Sequence, residues 1–117
     1  MKRITGIGGI FFKSENPESL YAWYEKHLGL KRDIPEAVIF SDKTVWALFP
    51  KDTAYFNPSP SPFMINYRVE DLDAVIEALR AEGVEIAGRQ DAPEGRFAWI
   101  MDPEGNRIEL WQPPTTQ

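Results

Sequence analysis

The chain has no cysteine and only one histidine in 117 residues. The first absence excludes disulfides, thiolate nucleophiles and Cys-ligated metals. The second means that an iron site of two His and one carboxylate cannot form within one chain. No segment approaches the ~20 apolar residues of a membrane-spanning helix. The start, Met1-Lys2-Arg3-Ile4-Thr5-Gly6, lacks the apolar core of a secretory signal. A cytoplasmic protein without a membrane partner is therefore expected. Basic residues are in the minority, 13 Lys and Arg against 18 Asp and Glu, for a net charge of −5. They are scattered, which argues against a nucleic-acid partner.

Aromatic residues are plentiful: four Trp, four Tyr and seven Phe. That is more than the core of a single domain of this length requires. The apolar fraction of 43% and charged fraction of 26% are those of an ordinary globule.

The clearest local signal is the closing hairpin. Two apolar runs flank the turn Asp102-Pro103-Glu104-Gly105-Asn106, whose Pro and Gly-Asn suit a chain reversal. After it, Arg107, Glu109 and Trp111 alternate with Ile108 and Leu110, so the two sets face opposite ways. The aliphatic pair suits a face packed on helices, which puts Glu109 on the concave side.

The rest divides into two similar stretches. Ile4 to Lys13 reads as a strand with Ile10 and Phe12 on one face and Gly9, Phe11 and Lys13 on the other. Gly6, Gly8 and Gly9 suggest a bulge or a close approach. Asn16-Pro17 starts a helix, in which Leu20, Trp23, Tyr24 and Leu28 recur at helical spacing with Trp23 expected in the core. Gly29 ends it. Strands are expected at Leu30–Ile34, Ala37–Ser41 and Thr44–Phe49. In that last strand Trp46 could face either way. Pro50 to Pro62 reads as a linker. Phe63–Val69 is a strand with Met64, Asn66 and Arg68 on one face. Asp71–Glu82 is a helix with Leu72, Val75, Ile76 and Leu79 as its stripe and Gly83 as its stop. Strands at Val84–Gln90, Phe97–Met101 and Arg107–Trp111 complete the set. The expectation is an α+β fold: one domain over residues 1–114, made of module 4–50, linker 51–62 and module 63–112. Each module has the order βαβββ, and together they form a curved mixed sheet around a cleft.

Three segments, Trp23-Tyr24-Glu25-Lys26-His27-Leu28-Gly29-Leu30, Val69-Glu70-Asp71-Leu72-Asp73 with Ala81-Glu82-Gly83-Val84, and Asp102 to Trp111, resemble the vicinal oxygen chelate superfamily. It includes glyoxalase I, bleomycin- and fosfomycin-resistance proteins and extradiol dioxygenases. The resemblance covers nearly the whole chain. It implies paired modules, usually a homodimer, and a ligand in the cleft. It also implies a divalent metal held from the first and last strands of each module. Counted back from Gly29 and Gly83, the first-strand positions are Gly9 and Met64, and the last-strand positions are Ala47 and Glu109. Gly and Ala offer no ligating atom, and a thioether suits these ions poorly. No resident metal or other cofactor is therefore expected.

The expected site is then Glu109 as the one candidate catalytic carboxylate, with Phe11, Asn66, Arg68, Trp99 and Trp111 as ligand-binding residues. Large aromatics with few polar groups line small-molecule pockets, but they equally fill cores and dimer interfaces. Arg68 could receive a ligand anion or pair with Glu109. Glu109 could equally be an inherited position satisfied by a neighbouring Arg, Asn or water. His27 reads as a surface residue near the helix C-terminus. The segment Glu94-Gly95-Arg96 reads as a solvated turn that could cover the cleft. Two functions fit: a metal-independent binder of a small apolar or cationic molecule, or a lyase, isomerase or dioxygenase-type enzyme using a metal or Glu109 acid–base chemistry.

Overall fold

A computed structural model describes residues 2–115 of the chain. Its elements are β1 (Gly6–Ser14), α1 (Pro17–Leu28), β2 (Val38–Ile39), β3 (Val45–Pro50), β4 (Phe63–Arg68), α2 (Leu72–Ala81), β5 (Gly88–Ala92), β6 (Gly95–Met101) and β7 (Arg107–Gln112). The strands form one mixed sheet in the order β2-β3-β1-β4-β7-β6-β5. At its centre β1 runs antiparallel to β4, joining the two halves. Within each half the first strand is parallel to the last, β1 to β3 and β4 to β7.

Both helices begin and end as their sequences dictate. The Asn16 side chain accepts from the Ser19 N–H, Pro17 follows, and Gly29 closes α1 at φ 69°. Asp71 caps α2 by accepting from the Ala74 N–H, and Gly83 follows at φ 85°. Such caps contribute about 1 kcal/mol each.

The helices share one face of the sheet. Leu72, Val75 and Ile76 of α2 pack on Ala98, Leu110 and Val69, with Ile108 and Tyr67 partly buried beside them. Tyr21 of α1 packs with Val38, Trp46 and Leu48, against partly buried Ile10 and Phe12. The opposite face carries Phe11, Ala47, Met64 and Trp99. The strand phases read from β1, β4 and β7 are therefore those of the structure, and Trp46 faces the helices.

Four expectations are corrected. Leu30–Ile34 is not a strand; only an isolated bridge joins Ile34 to Ala37. Pro35 lacks an N–H, and the Asp33 carboxylate accepts from the Ile39 N–H at 2.6 Å, which folds this stretch into a turn. Among the described residues the first half thus has one strand fewer than the second. Ala37–Ser41 shortens to Val38–Ile39, and Val84–Gln90 becomes Gly88–Ala92, because Val84 still bonds to Leu79 and Ile86 packs under α2. Trp23 is not core but 51% exposed. The buried residue of α1 is Tyr21, whose hydroxyl donates to the Glu36 carbonyl and accepts from the Leu48 N–H.

Residues 51–62 lack strand and helix. They are nevertheless packed into the open face: Phe56 is fully buried among Phe11, Met64 and Trp99.

Candidate functional site: a buried carboxylate in an aromatic cleft

The register of the sheet places Glu109 between two partners. Asn66 of β4 lies on one side and Trp99 of β6 on the other, all three on the open face. Asn66 Nδ2 donates to Glu109 Oε1 at 2.6 Å. Trp99 Nε1 donates to Oε2 at 2.9 Å. A third donor, the Tyr55 hydroxyl, reaches Oε2 from the linker.

Glu109 is 2% exposed, and no Lys, Arg or His lies within ion-pair distance among the described residues. A buried carboxylate is costly unless its lone pairs are filled. Here three neutral donors fill them, and hydrogen bonds to a charged group contribute about 1.5–3 kcal/mol each. The Arg107 guanidinium lies over the Trp99 ring at 5.2 Å and donates to the Asn57 carbonyl. Burial, reinforced by the Glu109 charge, pushes the Tyr55 hydroxyl well above its ordinary pKa. Tyr55 is therefore a neutral donor across the physiological range.

Glycine lets these groups come close. A Cβ on Gly8 would stand 2.1 Å from Asn66 Oδ1 and 2.7 Å from the Trp111 ring. The register shift between Ile7 and Gly9 makes this approach possible, so both readings of the glycine-rich strand hold. Asn66 Oδ1 itself has no hydrogen-bond partner.

In front of Glu109 is a cavity of about 460 Å³. Phe11, Phe49, Tyr55, Phe97 and Trp111 supply its aromatic wall, and Val45, Ile34 and Ile39 its aliphatic edge. Its polar contributors include Asn66, Glu109, Lys43 and Glu94. Phe97 is parallel to both its neighbours, Trp99 at 6.3 Å and Trp111 at 6.2 Å. Tyr55 stacks flat on Phe49 at 5.5 Å, with planes 4° apart. The Trp111 N–H is tied to the Glu94 carbonyl at 2.9 Å, so the turn before β6 borders the cleft.

The structure thus brings Phe11, Asn66, Glu109 and Trp111 around one cavity, with Trp99 bonded at its floor. Arg68, also expected to bind ligand, is not among the residues that line this cavity. It does not pair with Glu109; its guanidinium donates to the carbonyls of Ile7 and Asp42. Arg96 points outward to Asp73 and Asp91. His27 is exposed at the end of α1, 4.8 Å from the Trp23 ring. Tyr55 was not foreseen from the sequence. Its only signal was an adjacent aromatic pair, Tyr55-Phe56, inside a stretch otherwise rich in Pro and Ser.

These residues do not fit the divalent metal that the superfamily implies. Around Glu109 the indole N–H and the amide NH₂ are donors, not ligands, and they already occupy its oxygens. At Gly9 the Phe11 ring lies 2.8 Å from the place of a Cβ, so even the space for a ligating side chain is filled. Among the described residues no three His, Cys, Asp or Glu side chains converge.

Comparison with known proteins agrees with this geometry at the level of fold. Methylmalonyl-CoA epimerase from Mycobacterium tuberculosis is 20% identical, with a TM-score of 0.71 over 98% of this chain and 92% of that one. A Streptomyces coelicolor methylmalonyl-CoA epimerase in complex with 2-nitronate-propionyl-CoA is 17% identical, with a TM-score of 0.73 over 96% of this chain and 99% of that one. A catechol 2,3-dioxygenase is 19% identical, with a TM-score of 0.63 over 98% of this chain but 43% of that one. No curated protein sequence matches the chain. The family model of the glyoxalase-like domain matches residues 9–111. The chain belongs to the glyoxalase-like domain family, within the vicinal oxygen chelate superfamily.

Proposed function

We propose that the protein is a metal-independent binder of a small apolar or cationic molecule, held in the aromatic cleft before Glu109. One observation carries this reading: the Glu109 carboxylate sits at the floor of an apolar cavity, held by neutral donors alone. No Lys, Arg or His among the described residues balances its charge, which favours a cationic or hydrogen-bond-donating group on a ligand that comes near it, in surroundings where water competes poorly. The cavity volume is that of a small-molecule pocket. Its structural neighbours include a methylmalonyl-CoA epimerase and a catechol 2,3-dioxygenase. Their chemistry is not carried over, since the likeness is one of fold.

The test is a titration of Trp fluorescence with small aromatic and cationic compounds, in the presence of a chelator. Saturable quenching that survives chelation supports the reading. Stoichiometric Ni, Zn, Mn or Fe in the purified protein, or binding only after metal is added, overturns it. The second reading is metal-free acid–base chemistry at Glu109, which the direct contact with the Tyr55 hydroxyl favours. Turnover of a bound compound, abolished by Glu109→Gln, would establish it.

We further propose that the working form is a homodimer. The exposed apolar side chains of Ile34 and Phe40 flank the short edge strand β2 and support this. Sedimentation at micromolar concentration tests it, and a monomer there contradicts it. As for the expected location, no helix among the described residues is long and apolar enough to cross a membrane.

A further inference from the structure

Tyr55 differs from every other group at Glu109. Asn66 and Trp99 come from the sheet and are 2% and 7% exposed. Tyr55 comes from the irregular linker and is 38% exposed, yet its hydroxyl ends on the same carboxylate. Its ring is received as a ligand would be. One face lies flat on Phe49, and the Trp99 ring meets it edge-on at 6.4 Å and 86°.

The linker does not need Tyr55 to hold its place. The adjacent Phe56 is fully buried, the Ser59 N–H bonds to the Phe56 carbonyl, and the Ser61 hydroxyl donates to Asn106 Oδ1 in the turn before β7. Rotation of one side chain, with the backbone fixed, would clear the slot. Side-chain rotation of a partly exposed residue is fast and needs no unfolding.

We propose that Tyr55 is an internal stand-in for the ligand, and that the molecule this cleft takes is a phenol that displaces it. The inference rests on the binding role proposed above and narrows its ligand class. A phenol reproduces the whole set of contacts: a flat ring on Phe49, an edge against Trp99 and an O–H donated to Glu109. A bare arene leaves the carboxylate one donor short. An ammonium supplies charge but, on a flexible stem, does not follow the ring-to-carboxylate line that Tyr55 marks. Tyr55 also sets specificity, because an entering molecule must outcompete it. A site occupied by its own side chain binds with an affinity reduced by the fraction of time it stands open.

The experiment measures the affinity of 4-methylphenol, toluene and benzylammonium for wild type, Tyr55→Phe and Tyr55→Ala, by Trp fluorescence and calorimetry. Binding of 4-methylphenol is expected to tighten about tenfold in Tyr55→Ala, as the competing side chain is removed. It should tighten by a smaller factor in Tyr55→Phe, which keeps the fold and the stacking but gives up the bond to Glu109. Toluene and benzylammonium should gain little in either variant. The inference is overturned if 4-methylphenol binds all three forms equally, or if toluene or benzylammonium gains as much as it does. In both cases the cleft still binds, and the broader reading stands. If no compound binds any form, the broader reading falls as well.

Discussion

The two halves of the sheet are built alike and furnished differently. In the first, Phe11 of β1 pairs with Ala47 of β3; in the second, Asn66 of β4 pairs with Glu109 of β7. Both pairs are parallel and stand on the open face. Phe11 and Asn66 each lie five residues before the cap of the following helix, Asn16 and Asp71. Two residues further along the last strand, Phe49 corresponds to Trp111. One half is therefore an apolar wall, and the other carries a carboxylate with its own donors. The backbone repeats, but the chemistry does not. Tyr55 joins the halves, stacking on Phe49 of the first and bonding Glu109 of the second.

The largest expected effect comes from forcing the halves to match. Ala47→Glu would place a second carboxylate on the apolar side, where Phe11 and Met64 offer no donor. Burial of an unpaired charge should cost several kcal/mol, on the order of 3 to 5, read as a lower urea midpoint or as failure to fold. A loss below about 1 kcal/mol would mean that the first half is wetter than its packing indicates.

The converse change, Glu109→Ala, removes the carboxylate and strands the donors of Asn66 and Trp99. A loss of about 1–3 kcal/mol is expected, together with loss of ligand-dependent quenching. Unchanged binding would remove Glu109 from the site. Gly8→Ala tests the close approach that the polar half needs. Its Cβ would overlap Asn66 Oδ1 and press on Trp111. The expected cost is about 1–3 kcal/mol, with weaker binding, since the donor to Glu109 must shift.

Tyr55→Phe should be milder, about 1.5 kcal/mol, the low end for a hydrogen bond to a charged group, because the deleted bond is at a partly exposed side chain. It also has a signature in pH. Burial raises the Tyr55 pKa in the folded state above its ordinary value of 10. Its contribution to stability is then fully present below about pH 10 and is lost as pH rises through the raised value. Alkaline denaturation should be shallower in the variant, while Tyr21, whose hydroxyl is also raised by burial, keeps part of the slope.

The smallest effect lies outside the cleft. Hydrogen bonds from Arg96, then Arg89, hold the Asp73 carboxyl below its ordinary value. Its contribution is present above that value and lost as pH falls through the lowered one. Asp73→Asn should slightly flatten the acid limb of stability and leave binding untouched.

What could be read from the sequence was whatever local pattern decides. The caps at Asn16 and Asp71, the stops at Gly29 and Gly83, and the alternation in β7 each rest on a few adjacent residues. The placement of Glu109 followed from them. The spacing of α1 allows two neighbouring stripes, one through Trp23 and one through Tyr21, and the sheet covers the one through Tyr21. The apolar content of Leu30–Ile34 suits a strand, but Pro35 and the Asp33 carboxylate favour a turn. Tyr55 stayed hidden for a different reason. Linker 51–62 has no periodicity, so nothing local tells which side its aromatics take. Their positions come from the cavity that the two halves leave between them.

The most direct test of the account is a titration of Trp fluorescence with 4-methylphenol in the presence of EDTA, on wild type and Glu109→Gln. The account predicts saturable quenching in wild type that is insensitive to the chelator, and markedly weaker binding in the variant, whose amide replaces the charged acceptor. Quenching that appears only when a divalent metal is restored, or that is equal in the two proteins, would contradict it.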